Sequence, residues 1–184
     1  VFEGQPDDMS VSGFHDPTPG FERDFVRRQI TFWTNELFLR RDGRLVKIEK
    51  PDDADAAVHR EWLLVELRRP WTVGGMTHPA GALLAADFER FLAGERDLHV
   101  LFAPGARTSL ASYSSTRNHV LLNTLDNVRS RVEVLTFRDG RWHRAPLAGV
   151  PEFGTANATP VDDLDSDDYL LVTANSLTPS TLSL

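Results

Sequence analysis

The chain has 184 residues, 41% hydrophobic and 26% charged, a soluble globular mix long enough to bury a real core. Its net charge of −7 argues against a nucleic-acid or acidic-membrane surface, since those partners need clustered Lys and Arg. Without cysteine there is no disulfide framework and no thiolate metal site, which leaves cytoplasm and periplasm equally open, and no stretch approaches the ~20 apolar residues of a membrane-spanning helix.

Val1-Phe2-Glu3 reads as a strand already in progress, without an initiator methionine or a targeting segment before it. A first unit follows, with strands near 9–14, 26–34, 36–41 and 44–49. Asp7-Asp8 and Asp16-Pro17-Thr18-Pro19-Gly20 read as loops. The second unit has strands near 56–60 and 62–68, a diversion from Pro70 to Arg96, and a strand at 98–102. Inside the diversion, Gly74-Gly75 and Pro79 break strands, and 87–94 reads as a short helix. Asp87 caps it, Phe88, Phe91 and Leu92 share one face, and Gly94 stops it. The third unit has strands at 109–115, 119–125, 131–138 and 141–145. The fourth has 155–161, 169–175 and 180–184, one strand fewer. Leu182-Ser183-Leu184 is as strand-like as the start, so both ends read as cut from a longer chain.

Two repeats tie these units together. Arg41-Asp42-Gly43-Arg44 recurs as Arg138-Asp139-Gly140-Arg141. The offset, 138 − 41 = 97 positions, is about twice a propeller-blade repeat of roughly 40–50 residues. Asp-Gly between alternating runs signals a tight hairpin, whose central residues both need positive φ. Trp62–Leu67, Val120–Leu125 and Tyr169–Thr173 are apolar runs that each follow a polar pair, the pattern of a strand buried on both faces. Ile30-Thr31-Phe32-Trp33 is a fainter fourth copy. The expected fold is all-β, a β-propeller fragment of about four blades with one short helix inserted, forming a single partial domain over 1–184.

The sequence offers no catalytic constellation. A serine-hydrolase elbow needs Gly-x-Ser-x-Gly, which does not occur. Ser109, Ser112, Ser114 and Ser115 read as hydroxyls on a strand. His15, His59, His78, His99, His119 and His143 include no His-x-x-x-His pair for one helix face, and His59, His119 and His143 fall on strands or strand ends. Asp163, Asp165 and Asp167 alternate like the start of a calcium loop, but Asp168 stands where glycine is needed and Ala174 where glutamate is needed. A solvated turn is the better reading. Arg23, Arg27, Arg28, Arg40, Arg41 and Arg44 are interleaved with acids and read as a solvated strand face. Asn157-Ala158-Thr159 is a glycosylation triplet of a kind common by chance. Nothing in the spacing picks out two carboxylates for glycoside hydrolysis. No catalytic, cofactor-binding or metal-binding residue is assigned, and no cofactor is expected.

Several stretches carry a family likeness by their order and spacing. They are Val1-Phe2-Glu3-Gly4, His59-Arg60-Glu61-Trp62, Arg69-Pro70-Trp71-Thr72-Val73-Gly74-Gly75, Phe91-Leu92-Ala93-Gly94, Leu101-Phe102-Ala103-Pro104, Thr124-Leu125-Asp126-Asn127-Val128 and Leu177-Thr178-Pro179. In these the chain resembles the propeller of prolyl oligopeptidase-type serine peptidases, best its closing part. The resemblance implies a parent in which a seven-bladed propeller covers an α/β-hydrolase domain carrying Ser, Asp and His. That domain cuts short peptides, typically after proline, and the propeller limits access. The hydrolase domain is absent from this sequence, so the triad carries over to no residue here. The partners implied are that missing domain and, for the parent, short peptides. Open end blades expose apolar faces and strand edges, which leaves two solutions: self-association of two chains, arc to arc, which is favoured, or a small four-bladed ring closed by Val1-Phe2-Glu3 beside Leu182-Ser183-Leu184.

Three functions compete: an inert gating portion of such a peptidase, a stand-alone propeller serving as a protein-interaction platform, and a carbohydrate-active β domain. The third requires Trp33, Trp62, Trp71 and Trp142 on an open surface. Trp62 lies in the most buried-looking run.

Overall fold

In a computed structural model of the chain, the residues described are 4–127, 129–175, 177 and 179–184. The expected strand at Val1–Glu3 lies outside them. The chain divides into two compact units, Val1–Val100 and Leu101–Leu184.

The first unit begins with an antiparallel sheet, β1 (Ser10–Asp16), β2 (Arg23–Gln29), β3 (Asn35–Arg41) and β4 (Arg44–Lys47), in sequential order. The turn at Asp42-Gly43 joins β3 to β4 and has φ of 50° and 73°, with Arg41 opposite Arg44. Two consecutive positive φ values give the tight turn whose twist matches that of its strands. Asp16 accepts from the Thr18 amide and hydroxyl (3.1 and 2.6 Å), which builds the expected loop ahead of Gly20.

The strand expected at 26–34 is displaced. β2 runs from Arg23 to Gln29, and 30–34 forms the turn into β3. Ile30-Thr31-Phe32-Trp33 is therefore no buried strand: Phe32 is 71% and Trp33 61% exposed. The physical reason is Thr31. Its hydroxyl accepts from the Trp33 and Thr34 amides, both at 3.2 Å, closing a local turn that competes with strand pairing.

The second sheet contains β5 (Asp55–His59), β6 (Trp62–Glu66), β9 (Leu83–Asp87) and β10 (His99–Phe102), in the order β10-β9-β6-β5. Between β6 and β9 lies a small hairpin, β7 (Trp71–Val73) and β8 (Met76–His78). The diversion expected over Pro70–Arg96 is thus too long. Leu83-Leu84-Ala85-Ala86 belongs to the sheet and pairs with β6, Trp62 facing Asp87 and Glu66 facing Leu83. Such a short apolar run carries neither helical nor strand period, and its alanines disfavour a strand reading. The helix α1 (Phe88–Leu92) is as expected: Asp87 accepts from the Arg90 amide at 2.9 Å, Phe88 and Phe91 are buried, and Gly94 has φ of 97°. Leu37, Leu39, Leu63, Leu84 and Phe88 form the core of this unit. Each fully buried side chain of this type stabilises by about 1.5–3 kcal/mol relative to exposure.

The second unit holds a sequential sheet of β11 (Thr108–Ser115), β12 (Val120–Asp126), β13 (Arg129–Arg138) and β14 (Arg141–Pro146). Asp139-Gly140 joins β13 to β14 with φ of 52° and 74°, the same turn at the same topological place as Asp42-Gly43. A three-stranded sheet follows, β15 (Thr155–Pro160), β16 (Tyr169–Ala174) and β17 (Thr181–Ser183). Its inner strand corrects one expectation. Val120–Thr124 of β12 is buried throughout, but in β16 only Leu171 is buried and Val172 is 43% exposed. Leu171 packs with Leu121, Val132, Ala156 and Ala158 on one side. The fold class is the expected one: all-β, in propeller-like antiparallel sheets with one short helix.

Candidate functional site

The described residues contain no group of three or more His, Asp or Glu side chains placed to hold a metal ion. The candidate site must be sought in the polar clusters that the sheets position.

One lies in the first unit, where the ends of β2, β3 and β9 meet the β5–β6 turn. Phe21, Arg23, Arg41, Glu61, Phe88 and Glu89 help line a cavity of about 370 Å³. Arg23 does not lie on a solvated face, which corrects the expectation for this residue. Its guanidinium sits 4.3 Å from the Phe88 ring centroid and donates to the Arg60 carbonyl. Burial lowers its pKa, opposed chiefly by the charge of Asp16. At the rim, Arg41 grips Glu89 with two bonds of 2.8 and 2.6 Å. Arg41 and Glu89 satisfy each other, whereas Arg23 Nη1 and Glu61 Oε2 are buried without a hydrogen-bond partner, and the lining presents no nucleophile.

The neighbouring arginines do form a polar sheet face. Arg28 donates to Asp8 at 2.7 Å and to Glu36 at 3.0 Å, and Lys47 donates to Glu36 at 2.6 Å. The Lys47 hydrogen bond is the largest cause of the lowered Glu36 pKa, partly opposed by desolvation.

Sequence reasoning missed Lys50. It is 6% exposed, and its ammonium donates to the carbonyls of Asn35, Pro51 and Ala54 at 3.0, 3.1 and 2.7 Å. Burial pulls its pKa down to about 8. A lysine in a stretch of Glu-Lys-Pro-Asp-Asp carries no sequence signal of burial. Its cage consists of backbone oxygens, which every residue possesses.

In the second unit, Asp167 is more than part of a solvated acidic turn. It accepts from Thr116 Oγ1, the Asn118 amide and Asn118 Nδ2, each at 2.7 Å. Partial burial pushes its carboxyl up, but these bonds outweigh burial and the pKa is lowered. His119 bonds Thr136 Oγ1 through Nδ1 at 2.8 Å, and its Nε2 lies 3.8 Å from Asp167. Hydroxyl, imidazole and carboxylate are neighbours, but the carboxylate already accepts three bonds from other donors and the hydroxyl belongs to a sheet strand. The series fastens strand ends. Ser109, Ser112, Ser114 and Ser115 all lie in β11, and Ser112 accepts from Asn123. His15 pairs with Asp24 across β1 and β2 at 2.8 Å. His59 and His78 are buried at strand ends, and His143 sits within β14. Trp62 is 6% exposed, so the four tryptophans make no common open surface.

Propeller-like antiparallel sheets define the class of fold, and relatives give it a setting. No family model matches the chain. An uncharacterized peptidase of Sinorhizobium fredii is 30% identical over 192 residues, spanning 99% of this chain and 26% of its own length. An uncharacterized peptidase of Rickettsia prowazekii is 28% identical over 145 residues, 77% of this chain and 20% of its own. The solved structure of a post-proline cleaving enzyme from Rickettsia typhi superposes with a TM-score of 0.86 at 23% identity, covering 99% of this chain and 28% of that one. The chain therefore spans about a quarter of the longer proteins it matches almost end to end. The resemblance to prolyl oligopeptidase-type peptidases holds: this chain is related to a segment of curated peptidases and has the fold of a segment of a post-proline cleaving enzyme.

Proposed function

We propose that residues 1–184 form one partial propeller domain of a longer prolyl oligopeptidase-like serine peptidase. The segment acts as a wall that admits short peptides to an α/β-hydrolase domain located elsewhere in the parent, and it is inactive alone. The observation that carries this reading is the near end-to-end match to one quarter of peptidases by a chain that has no Gly-x-Ser-x-Gly elbow. Exclusion by size asks only for rigid packed sheets, and Leu63-Leu64-Val65 and Val120–Thr124 are inner-strand runs buried throughout.

The test has two arms. This chain should not turn over proline-containing chromogenic peptides. Turnover that survives repurification and is blocked by a serine-reactive inhibitor would overturn the reading. The longer protein should cut a short proline-containing peptide and spare the same sequence embedded in a folded protein; equal cleavage of both would remove the gating role.

A further inference from the structure

The cavity where the loop ahead of β2 meets the β5–β6 turn and the start of α1 holds two buried charged atoms that the fold leaves unanswered. Among the described residues, neither Arg23 Nη1 nor Glu61 Oε2 has a hydrogen-bond partner. A charged donor or acceptor buried in this state is destabilising, and native proteins keep such groups where something else completes them.

The side chains that could complete Arg23 are committed elsewhere. Asp16 faces it across β1 and β2, but directs one oxygen to Thr18 and makes no ion pair with it among the described residues. Glu89 gives both oxygens to Arg41, and Asp87 accepts from the Arg90 amide. On the acidic side, Arg60 Nε stands 3.6 Å from Glu61 Oε2, too far for a hydrogen bond. Phe21 supplies an apolar wall beside both, its ring centroid 5.7 Å from the Arg23 guanidinium and 5.4 Å from that of Arg60.

The charges then select the ligand. Arg23 and Arg41 share the lining with Glu22, Glu61, Asp87 and Glu89. A simple anion would meet an excess of negative charge, and a simple cation would leave Arg23 unanswered. The volume of about 370 Å³ lies at the small end of ligand pockets. We propose that this cavity binds a free zwitterionic α-amino acid. Its carboxylate accepts from Arg23 Nη1, its ammonium donates to Glu61 Oε2, and an aliphatic side chain lies against Phe21. A residue inside a peptide carries neither charge, so this assignment does not rest on the peptidase reading.

The test titrates the ¹⁵N-labelled chain with L-leucine and with analogues that remove one charge or both. Isocaproate lacks the ammonium, isoamylamine lacks the carboxylate, and N-acetyl-leucinamide has neither charge. The amide signals of Phe21, Glu61 and Phe88 should shift saturably with L-leucine, while that of Leu122 in the second unit stays still. Each analogue should bind more weakly by about tenfold or more, from loss of a charge-assisted bond. Arg23→Lys and Glu61→Gln should each weaken leucine binding by about tenfold, with an unchanged signal from buried Leu64 verifying the fold. No saturable shift at about 10 mM L-leucine, ten times a millimolar dissociation constant, would overturn the proposal and leave the cavity to water. Any analogue that binds as tightly as L-leucine would overturn it on the parent chain alone, without recourse to a variant. Unchanged affinity in either folded variant would do the same.

Discussion

Replacing Lys50 by Met tests the cage that holds the first unit together. The new side chain has similar length and fills the same space, but its thioether cannot donate to the carbonyls of Asn35, Pro51 and Ala54. Ala54 O keeps a long bond from Asn35 Nδ2, at 3.4 Å. Pro51 O keeps the Ala54 amide, at 3.0 Å. The Asn35 carbonyl then loses this donor without a substitute, at about 1–3 kcal/mol. The apolar Met recovers part of this by relieving the buried charge, so the net loss at pH 7 should be about 1–2 kcal/mol. The pH dependence then gives a second, independent reading. Below about pH 8 the lysine is protonated in both folded and unfolded chains. Between about 8 and the ordinary value of 10.5 the unfolded chain binds more protons, so the parent gains stability as pH rises. The bound on that gain is (10.5 − 8) × 1.36, about 3 kcal/mol. The Met variant lacks this gain, and every other titrating group is shared. Urea denaturation of both chains at pH 7 and pH 10 should therefore show the gap between them widening with pH. A variant as stable as the parent at pH 7 would refute the cage; a gap that stays constant or narrows would refute the depressed pKa.

Gly43→Val and Gly140→Val should each destabilise by about 1–2 kcal/mol in denaturant titration, since a β-branched residue resists positive φ. A Cβ at either site meets nothing within 4 Å, so the cost is conformational, and a loss below about 0.3 kcal/mol at both would count against the turn. Asn123→Leu should cost about 2–3 kcal/mol, because the 4% exposed amide donates to Ser112 and the Ala158 carbonyl and accepts from the Ala158 amide. Hydrogen exchange at Ala158 should rise in that variant, and unchanged protection would contradict the bridge. Asp167 has a lowered pKa, so its contribution is present above the ordinary 3.8 and fades as pH falls below it. Acid titration of Asp167→Asn should lose that part of the parent's acid sensitivity, and superimposable profiles would exclude the contribution.

The strands were legible wherever a local rule had no competitor. Asp42-Gly43 and Asp139-Gly140 announced their hairpins because few residues tolerate two positive φ values, and Asp87 announced its helix by capping chemistry. The reading of 30–34 failed because Ile, Phe and Trp score as strand formers, while the threonine hydroxyls that close the turn act through backbone amides that no propensity records. Leu83–Asp87 was missed because its partner β6 lies beyond an intervening hairpin, and pairing at a distance leaves no periodic trace. The polar clusters were less legible still. Arg23 looked like its neighbours in sequence, and only the approach of Phe88 from α1 distinguishes it. Lys50 is recognised by carbonyl oxygens, which are identical in every sequence.

The strand order carries a consequence for synthesis of the chain. In the first, third and fourth sheets, each strand pairs with the one just before it, so each sheet can assemble as soon as its own residues are made. The second sheet cannot. β6 must keep its edge open until residues 67–82 have been added and β9 arrives. Closing the longer loop adds only about 0.6 kcal/mol per doubling of its length, so the native sheet loses little stability. The exposure is kinetic. During that interval Trp62-Leu63-Leu64-Val65, the most apolar strand of the first unit, stands with one unpaired edge, and it is there that a nascent chain would first need shelter from its neighbours.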